Sequence, residues 1–201
     1  MSTAVVQLQS ITSIQCYKVH CCENQCIAFT GNYIDLNQCP CRSQQFYENG
    51  VILRYWFLYI LLAIQLVIQY TNKKRAEILT SYHARFDQEK ESSELQDFWD
   101  CWLYKEFFCQ WLGCFWDEHD VRLHLSLDGV QIVMNKSHEV TPILLYNLNL
   151  LPDLWYKTKN ILIFAILLGP NQPGDLNSFC SPLMNELKYL DENGVQVYDA
   201  K

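Results

Sequence analysis

The order of apolar runs in residues 121–201 is the sequence feature that most constrains the fold. Three short strand-like runs divided by turn residues precede a helical pattern, and a last short apolar run follows the helix. Strands joined by short turns pair antiparallel, whereas a strand that follows a crossover helix returns parallel to an earlier one. The runs occupy 121–134, 140–150, 160–168 and 194–199, and the helix occupies 175–191.

This order predicts an α/β fold with the arrangement β-β-β-α-β, which is the opening half of a ribonuclease H-like fold. The helix is marked by apolar residues at helical spacing. Asp175 can cap its first turn, Asn193-Gly194 can end it, and Pro182 is tolerable if Ser181 restarts the cap. We expect the helix to pack on one face of a mixed sheet through Leu176, Phe179, Leu183 and Leu187.

Asp128 interrupts the first apolar run and is followed by Gly129. One interpretation is a hairpin turn, because Asp-Gly is among the strongest short hairpin signals. The other is a carboxylate that projects from a strand to hold a catalytic cation. The residues alone favour the turn.

Cysteines are crowded at the start of the chain. Six of the ten lie in the first 41 residues, and the segment before them has neither a basic start nor a long apolar run. A secretory signal peptide is therefore not indicated, and reduced thiols that bind a metal are the better prediction than disulfides. Cys22, Cys26 and Cys39 have the spacing of a zinc ribbon. The cysteines expected to pack among aromatic residues are Cys101, Cys109, Cys114 and Cys180.

Composition divides the chain into a cysteine-rich module (1–50), a helical linker region (51–120) and the strand-helix region (121–201). Half of the residues are hydrophobic and 18% are charged, so wholesale disorder is not expected. The net charge of −7 argues against strong autonomous binding to nucleic acid. The only basic run, at 73–75, is interpreted as a solvated face.

Val51 to Tyr70 also has the length and apolarity of a membrane span. The basic run at 73–75 follows it as a cytoplasmic flank would. A small single-pass membrane protein with a transmembrane helix near 51–70 is therefore an alternative interpretation.

Several motifs, in order, resemble the transposase of CACTA (En/Spm) DNA transposons in the form common in fungi. In the last region these are "LSLDGVQI", "PILLYNLNLLP", "LLGPNQPGDLNSFCSPLMNELKYL" and "GVQVYDA". Upstream, "CCENQCIAFTGNYIDLNQCPC" is similar to the family's small cysteine module, and "YILLAIQLVIQYTN" is similar to its Tyr-Ile-Pro-Leu-Ile-Pro-Arg-Leu segment. The resemblance covers most of residues 20–200.

The resemblance implies a nuclear DDE/D polynucleotidyl transferase that cuts transposon ends with Mg²⁺ or Mn²⁺, and no small-molecule substrate. Two cations must clamp the attacking and leaving oxygens, and at least three carboxylates must hold them. Asp128 corresponds to the first of these, and Asp199 is a weaker candidate for the second. Because the other acidic residues of the family lie beyond position 201, we expect a vestigial site and an inactive chain.

The family's cysteine module implies a zinc site at Cys22, Cys26, Cys39 and Cys41. In the family the second pair is Cys-Pro-x-Cys, whereas this chain has "CPC", one residue shorter. Both thiols can bind one ion only if the turn rearranges, or if Cys16, Cys21 or His20 substitutes. The alternative is a degenerate loop with free thiols.

The chain also departs from the family pattern at single positions. Leu61, Ile64 and Leu151 replace prolines, Gln65 replaces arginine and Thr141 replaces tryptophan. These changes suggest a decaying or truncated copy of the element. A third possibility is a domesticated DNA- or protein-binding module that kept the scaffold without its chemistry.

Overall fold

A computed structural model of the chain describes residues 16–41, 47–48, 52–53, 55–82, 98–102, 106, 117–131, 139–169 and 171–201. The strands are β1 (Cys16–His20), β2 (Tyr47–Glu48), β3 (Ile52–Leu53), β4 (Trp56–Ile60), β5 (Leu123–Leu127), β6 (Val130–Gln131), β7 (Glu139–Asn147) and β8 (Leu162–Gly169). The α-helices are α1 (Leu62–Tyr70), α2 (Lys73–Ser81), α3 (Pro152–Trp155) and α4 (Leu176–Asn193). Short 3-10 helices cover Gly31–Tyr33, Phe98–Asp100 and Thr158–Asn160.

The main sheet has six strands, with the order β1-β4-β8-β7-β5 and with β6 also paired to β7. The pairs β1–β4, β4–β8 and β6–β7 are antiparallel. β2 and β3 form a separate antiparallel pair. The chain is therefore a mixed α/β protein, as predicted, and the consecutive elements β7, β8 and α4 lie where the apolar pattern places them.

Contacts divide the chain into two compact units. The first consists of Met1–Gln65, Ser126–Leu144 and Ile163–Val195, and the second of Leu66–Leu125, Leu145–Leu162 and Gln196–Lys201. The domain boundaries predicted at 50 and 120 remain predictions.

The core of the first unit lies between the sheet and α4. The rings of Phe57 on β4 and Phe179 on α4 are 5.6 Å apart at their centroids. Phe179 and Leu183 are fully buried, whereas Leu176 is exposed and Leu187 is half-buried. The predicted packing face of the helix is thus confirmed at Phe179 and Leu183, and the prediction for Leu176 is wrong because its side chain is 36% exposed.

Local signals explain the limits of α4. The Asp175 carboxylate accepts a hydrogen bond from the Asn177 N–H at 3.1 Å, as the sequence predicts. Gly194 ends the helix with a φ of +66°, which a glycine adopts without strain. Pro182 lies inside one continuous helix, so the predicted restart at Ser181 is wrong.

The core of the second unit packs α2 against the segment that follows β7. Tyr70, Ala76, Leu79 and Leu150 form a buried cluster, and Val197 packs against it. Residues 194–201 contain no strand, so the prediction of a final strand at 194–199 is wrong. The apolar Val197 that suggested a strand is instead held by this helical cluster, and the N–H of Ala200 donates to the carbonyl of Tyr70 at 3.2 Å.

The predicted apolar span at 51–70 does not form one helix. Trp56–Ile60 is a strand with alternating burial, and α1 begins only at Leu62. In the part of the chain that the structure describes, no helix has both the length and the apolarity to cross a bilayer. The single-pass alternative is therefore not favoured.

Candidate functional site

Three cysteines of the N-terminal module come together. The sulfur atoms of Cys22, Cys26 and Cys39 all lie within 4.8 Å of one another. Cys22 and Cys39 are buried, and Cys26 is half-buried. Among the described residues this is the only group of three or more cysteine, histidine or acidic side chains close enough to share a metal ion.

A tight turn produces this arrangement. The N–H of Cys22 donates to the carbonyl of Ile27 at 2.9 Å, and the N–H of Gln25 donates to the carbonyl of Cys22 at the same distance. Gln25 has a φ of +56°, in the left-handed region that a non-glycine residue rarely adopts. This turn, residues 22–28, is called the knuckle below, and it points the side chains of Cys22 and Cys26 toward Cys39.

Burial disfavours the thiolate form throughout the knuckle. It raises the pKa of Cys22 to about 11 and also raises the pKa of Cys26. A thiolate is the form that binds a metal, and a bound cation would reverse these shifts. The three sulfurs therefore fit a soft divalent cation such as Zn²⁺ in donor type and spacing.

The other predicted ligands lie outside the group of three. Cys41 is exposed, but it contributes to the raised pKa of Cys26, so it lies near the group. Cys21 is buried with a pKa raised to about 12 by desolvation, and burial lowers the pKa of His20. Among the described residues no cysteine forms a disulfide. Cys180 is buried as predicted, whereas Cys109 and Cys114 lie outside the described residues.

The knuckle is bound to the segment that starts α4. The N–H groups of Gly174 and Asp175 donate to the carbonyls of Gln25 and Cys26, each at 2.8 Å. The N–H of Ala28 donates to Oγ of the buried Ser178 at 2.9 Å. A side chain at Gly174 would place its Cβ 2.8 Å from the carbonyl oxygen of Cys26, so the close approach requires glycine here.

Asp128 is exposed and lies in a gap between β5 and β6. Both strands pair with β7, so Asp128-Gly129 does not reverse the chain, and the hairpin interpretation is wrong. Counting from the pair Val130–Val140 places Asp128 opposite Pro142.

Pro142 explains this gap. The N–H of Leu148 donates to the carbonyl of Arg122 at 2.9 Å, and hydrogen-bonded pairs recur at every second residue of an antiparallel ladder. By this count Asp128–Pro142 falls on a hydrogen-bonded position. Proline has no N–H to donate, so the ladder is interrupted beside the carboxylate.

Asp199 lies in a different arrangement. Its Oδ2 is 3.0 Å from Nε2 of His119, and Nδ1 of the same ring is 2.9 Å from Oδ1 of Asp117. The hydrogen bond to Asp199 is the main cause of a raised pKa at His119. The backbone N–H of His119, followed by its imidazole, lowers the pKa of Asp117, and the imidazole lowers the pKa of Asp199. His119 was not predicted from the sequence, although "DEHD" at 117–120 is a visible cluster of ionisable residues.

A family model described as "Transposase family tnp2" matches residues 93–201, which is more than half of the chain. The chain belongs to this transposase family. Neither the curated proteins nor the solved structures contain a match.

The tnp2 match includes Asp128, Asp199, β5 to β8 and α4. It does not extend to the knuckle, so the candidate metal site depends on its own geometry. Membership of the tnp2 transposases implies DNA binding in general.

Two polar side chains of the transposase have a structural role that the sequence did not reveal. The Glu186 carboxylate on α4 accepts from the N–H groups of Leu62 at 3.1 Å and Ala63 at 2.8 Å, which caps α1, and it also bonds the Tyr59 hydroxyl. Gln65 accepts from the N–H of Ile163 at 3.0 Å and donates to its carbonyl at 2.9 Å. Gln65 departs from the expected family pattern, yet both the donor and the acceptor of its amide form hydrogen bonds in this fold.

Proposed function

We propose that the chain derives from a CACTA (En/Spm) transposase of the fungal type, a nuclear enzyme that acts on the ends of its transposon, and that the chain itself is catalytically inactive. The observation that carries the transposase lineage is the tnp2 match, which includes Asp128, a carboxylate exposed directly after β5, the first described strand of the matched region. In a DDE/D enzyme that carboxylate helps to hold the Mg²⁺ or Mn²⁺ ions of strand cleavage and joining.

The order of elements supports a ribonuclease H-like core. β5, β7 and β8 are neighbours in the sheet, and α4 follows them in the chain. β5 is an edge strand of the sheet. A ribonuclease H-like fold adds a parallel strand beside this position, and no described strand occupies it. The extra pair β4–β1 extends the sheet from β8 on the opposite side.

Asp128 alone is a weak ligand. It belongs to no group of three candidate ligands among the described residues. Mg²⁺ sheds its water reluctantly without several hard oxygen ligands and substrate phosphates. We therefore propose that Asp128 keeps its place at the end of β5 but that the chain does not cleave DNA.

The test is incubation of the chain with labelled duplexes that carry the transposon ends, in Mn²⁺, which accepts less regular coordination than Mg²⁺. No nicked or joined product is expected from the chain or from Asp128→Ala, and both should have the same thermal stability because Asp128 is exposed. Cleavage by the chain that is lost in Asp128→Ala would contradict the proposed inactivity and would assign Asp128 a working role.

We further propose that Cys22, Cys26 and Cys39 hold one Zn²⁺, with Cys41 as the fourth ligand. The sulfur spacing and the burial of the thiols support the site, and Cys41 lies near enough to Cys26 to contribute to the raised pKa of Cys26. The ion would be structural and would fix the knuckle against the segment that leads into α4.

Metal analysis of the purified chain tests this site. One zinc per chain is expected, with loss of the metal in Cys39→Ser and retention in the matched control Cys101→Ser. Cys41→Ser should weaken zinc binding less than Cys39→Ser does, because the three sulfurs that lie within 4.8 Å of one another all remain. Equal zinc content in Cys39→Ser and the unaltered chain would refute the site.

A further inference from the structure

Basic side chains are concentrated on one surface of the second unit. The chain has only fifteen lysines and arginines against twenty-two acidic residues. Five of the fifteen lie in two short segments, the start of α2 and the 3-10 turn after α3. This surface, called the basic patch, consists of Lys73, Lys74, Arg75, Lys157 and Lys159.

A buried asparagine joins the two segments. Nη2 of Arg75 donates to Oδ1 of Asn160 at 2.7 Å. Asn160 is 2% exposed and is itself fixed, because its Nδ2 donates to the carbonyl of Leu154 at 2.8 Å. Lys74 and Lys159 are each one residue from this bond and are both exposed. The bond therefore brings the two lysine-bearing segments together.

The first turn of α2 adds to the positive field. Asn72 caps the helix by accepting the N–H of Arg75 at 3.2 Å, and Lys73 is the first helical residue. The aligned peptide dipoles place partial positive charge at this end of a helix, where they favour phosphate groups. The lysines and the N-terminal end of α2 thus both attract negatively charged groups.

Little acidic charge offsets the patch. Asp153 is 3.5 Å from Lys157, but both side chains are mostly exposed, and such a pair is weak. Glu77, four residues after Lys73 on α2, is placed to offset part of the charge of that lysine and also acts on Lys201, so the patch has two acidic neighbours for its five basic residues. At physiological salt a charge is felt over about 8 Å, so the patch can attract an anion although the whole chain is acidic.

We propose that the basic patch binds the phosphodiester backbone of duplex DNA. The inference rests on the proposed transposase function and specifies where the chain contacts its substrate. Contacts to phosphates position a protein on DNA without reading its sequence. The patch therefore supplies affinity and orientation, and any recognition of transposon ends depends on other residues.

The test measures the affinity of the full chain for a duplex of arbitrary sequence at several salt concentrations. Each phosphate neutralised contributes about −0.9 to the slope of log K against log salt. In the double variant Lys74→Gln/Lys159→Gln the slope should become less negative by about 1.8, and the affinity should fall about tenfold or more at low salt. Both lysines are exposed and should be replaceable without unfolding the chain, which a melting curve checks.

The matched control is Lys18→Gln/Lys188→Gln, which removes the same charge from the first unit and should leave the slope unchanged. Equal losses of DNA affinity in the two double variants would overturn the proposal, because the net charge of the chain would then explain the binding. Unchanged binding by Lys74→Gln/Lys159→Gln would also overturn the patch while leaving the transposase function intact. Failure of the unaltered chain to bind duplex DNA would overturn both.

Discussion

The knuckle and the His119 cluster both join distant parts of the chain, but they do so by different means. The knuckle is fixed to α4 by backbone hydrogen bonds and by the buried Ser178 hydroxyl. The His119 cluster consists of His119 with Asp117 and Asp199, and of Lys201 with Glu118. It joins residues 117–120 to 199–201 through ion pairs between side chains that are exposed or, for Asp199, half-buried. Water competes with the second kind of contact and not with the first. The burial of the contacts, rather than their number, should therefore decide whether the knuckle or the His119 cluster contributes more to the free energy of unfolding.

The largest loss of stability is expected in the core of α4, the helix to which the knuckle is bound. Phe179→Ala removes a fully buried ring that contacts Phe57, and it should lower the free energy of unfolding by about 3–5 kcal/mol. Urea denaturation measures it. Met184→Ala on the exposed side of the same helix is the control and should stay within about 0.5 kcal/mol of the unaltered chain.

Gly174→Ala tests the close approach of the backbone. The new Cβ would lie 2.8 Å from the carbonyl oxygen of Cys26, so the knuckle must shift away from α4. A loss of about 1–3 kcal/mol is expected, the range typical of overpacked sites. A melting temperature equal to that of the unaltered chain would show that the knuckle is not held as tightly as its hydrogen bonds indicate.

Ser178→Ala tests the single buried side-chain contact. It leaves the N–H of Ala28 without its acceptor, and a loss of about 1 kcal/mol or somewhat more is expected. Ser81→Ala removes a comparable hydroxyl from the exposed end of α2 and should change stability far less. Similar losses of stability in the two variants would contradict the expected difference between buried and exposed hydrogen bonds.

The smallest effect is expected at His119 and should depend on pH. The raised pKa of His119 stabilises the fold fully below the unfolded value of 6.5, and this contribution is lost as the pH rises through the folded pKa. The lowered pKa values of Asp117 and Asp199 stabilise the fold above 3.8, and that contribution is lost as the pH falls through their folded values. The cluster should therefore contribute most between pH 3.8 and 6.5.

Unfolding of His119→Gln at pH 5, 7 and 9 measures this contribution. The deficit relative to the unaltered chain should be clearest at pH 5 and smallest at pH 9. His124→Gln, a substitution of the neighbouring exposed histidine, is the control. A deficit that grows with pH would contradict the assignment of His119 as the charged partner of both carboxylates.

The elements that the sequence predicted correctly carry their own local signals. β8 is a continuous apolar run, and α4 has helical spacing, a capping Asp175 and a terminal Gly194. The packing of Phe179 and Leu183 follows from that spacing alone.

What the sequence could not predict depends on pairing between distant residues. Glu186 caps α1 although 124 residues separate it from Leu62. Asp128 and Pro142 are both visible in the sequence, but only the register of β6 and β7 places them opposite each other. The strand predicted at 194–199 failed because alternation in a short run does not reveal that Val197 packs against a helical cluster.

The Gln65 side chain has a consequence for how the sheet gives way to α1. Beyond the pairs that join β4 to Ala165 and Ile166, the two hydrogen-bonding groups of Ile163 are both occupied by the Gln65 amide. β8 lies between β4 and β7, so these two groups belong to an interior strand at the point where its neighbour β4 has ended. An amide both donates and accepts, whereas an arginine side chain can only donate. A single glutamine therefore substitutes for a missing strand residue, and β4 can pass into the helix without the loss of stability that unpaired backbone groups of Ile163 would cause.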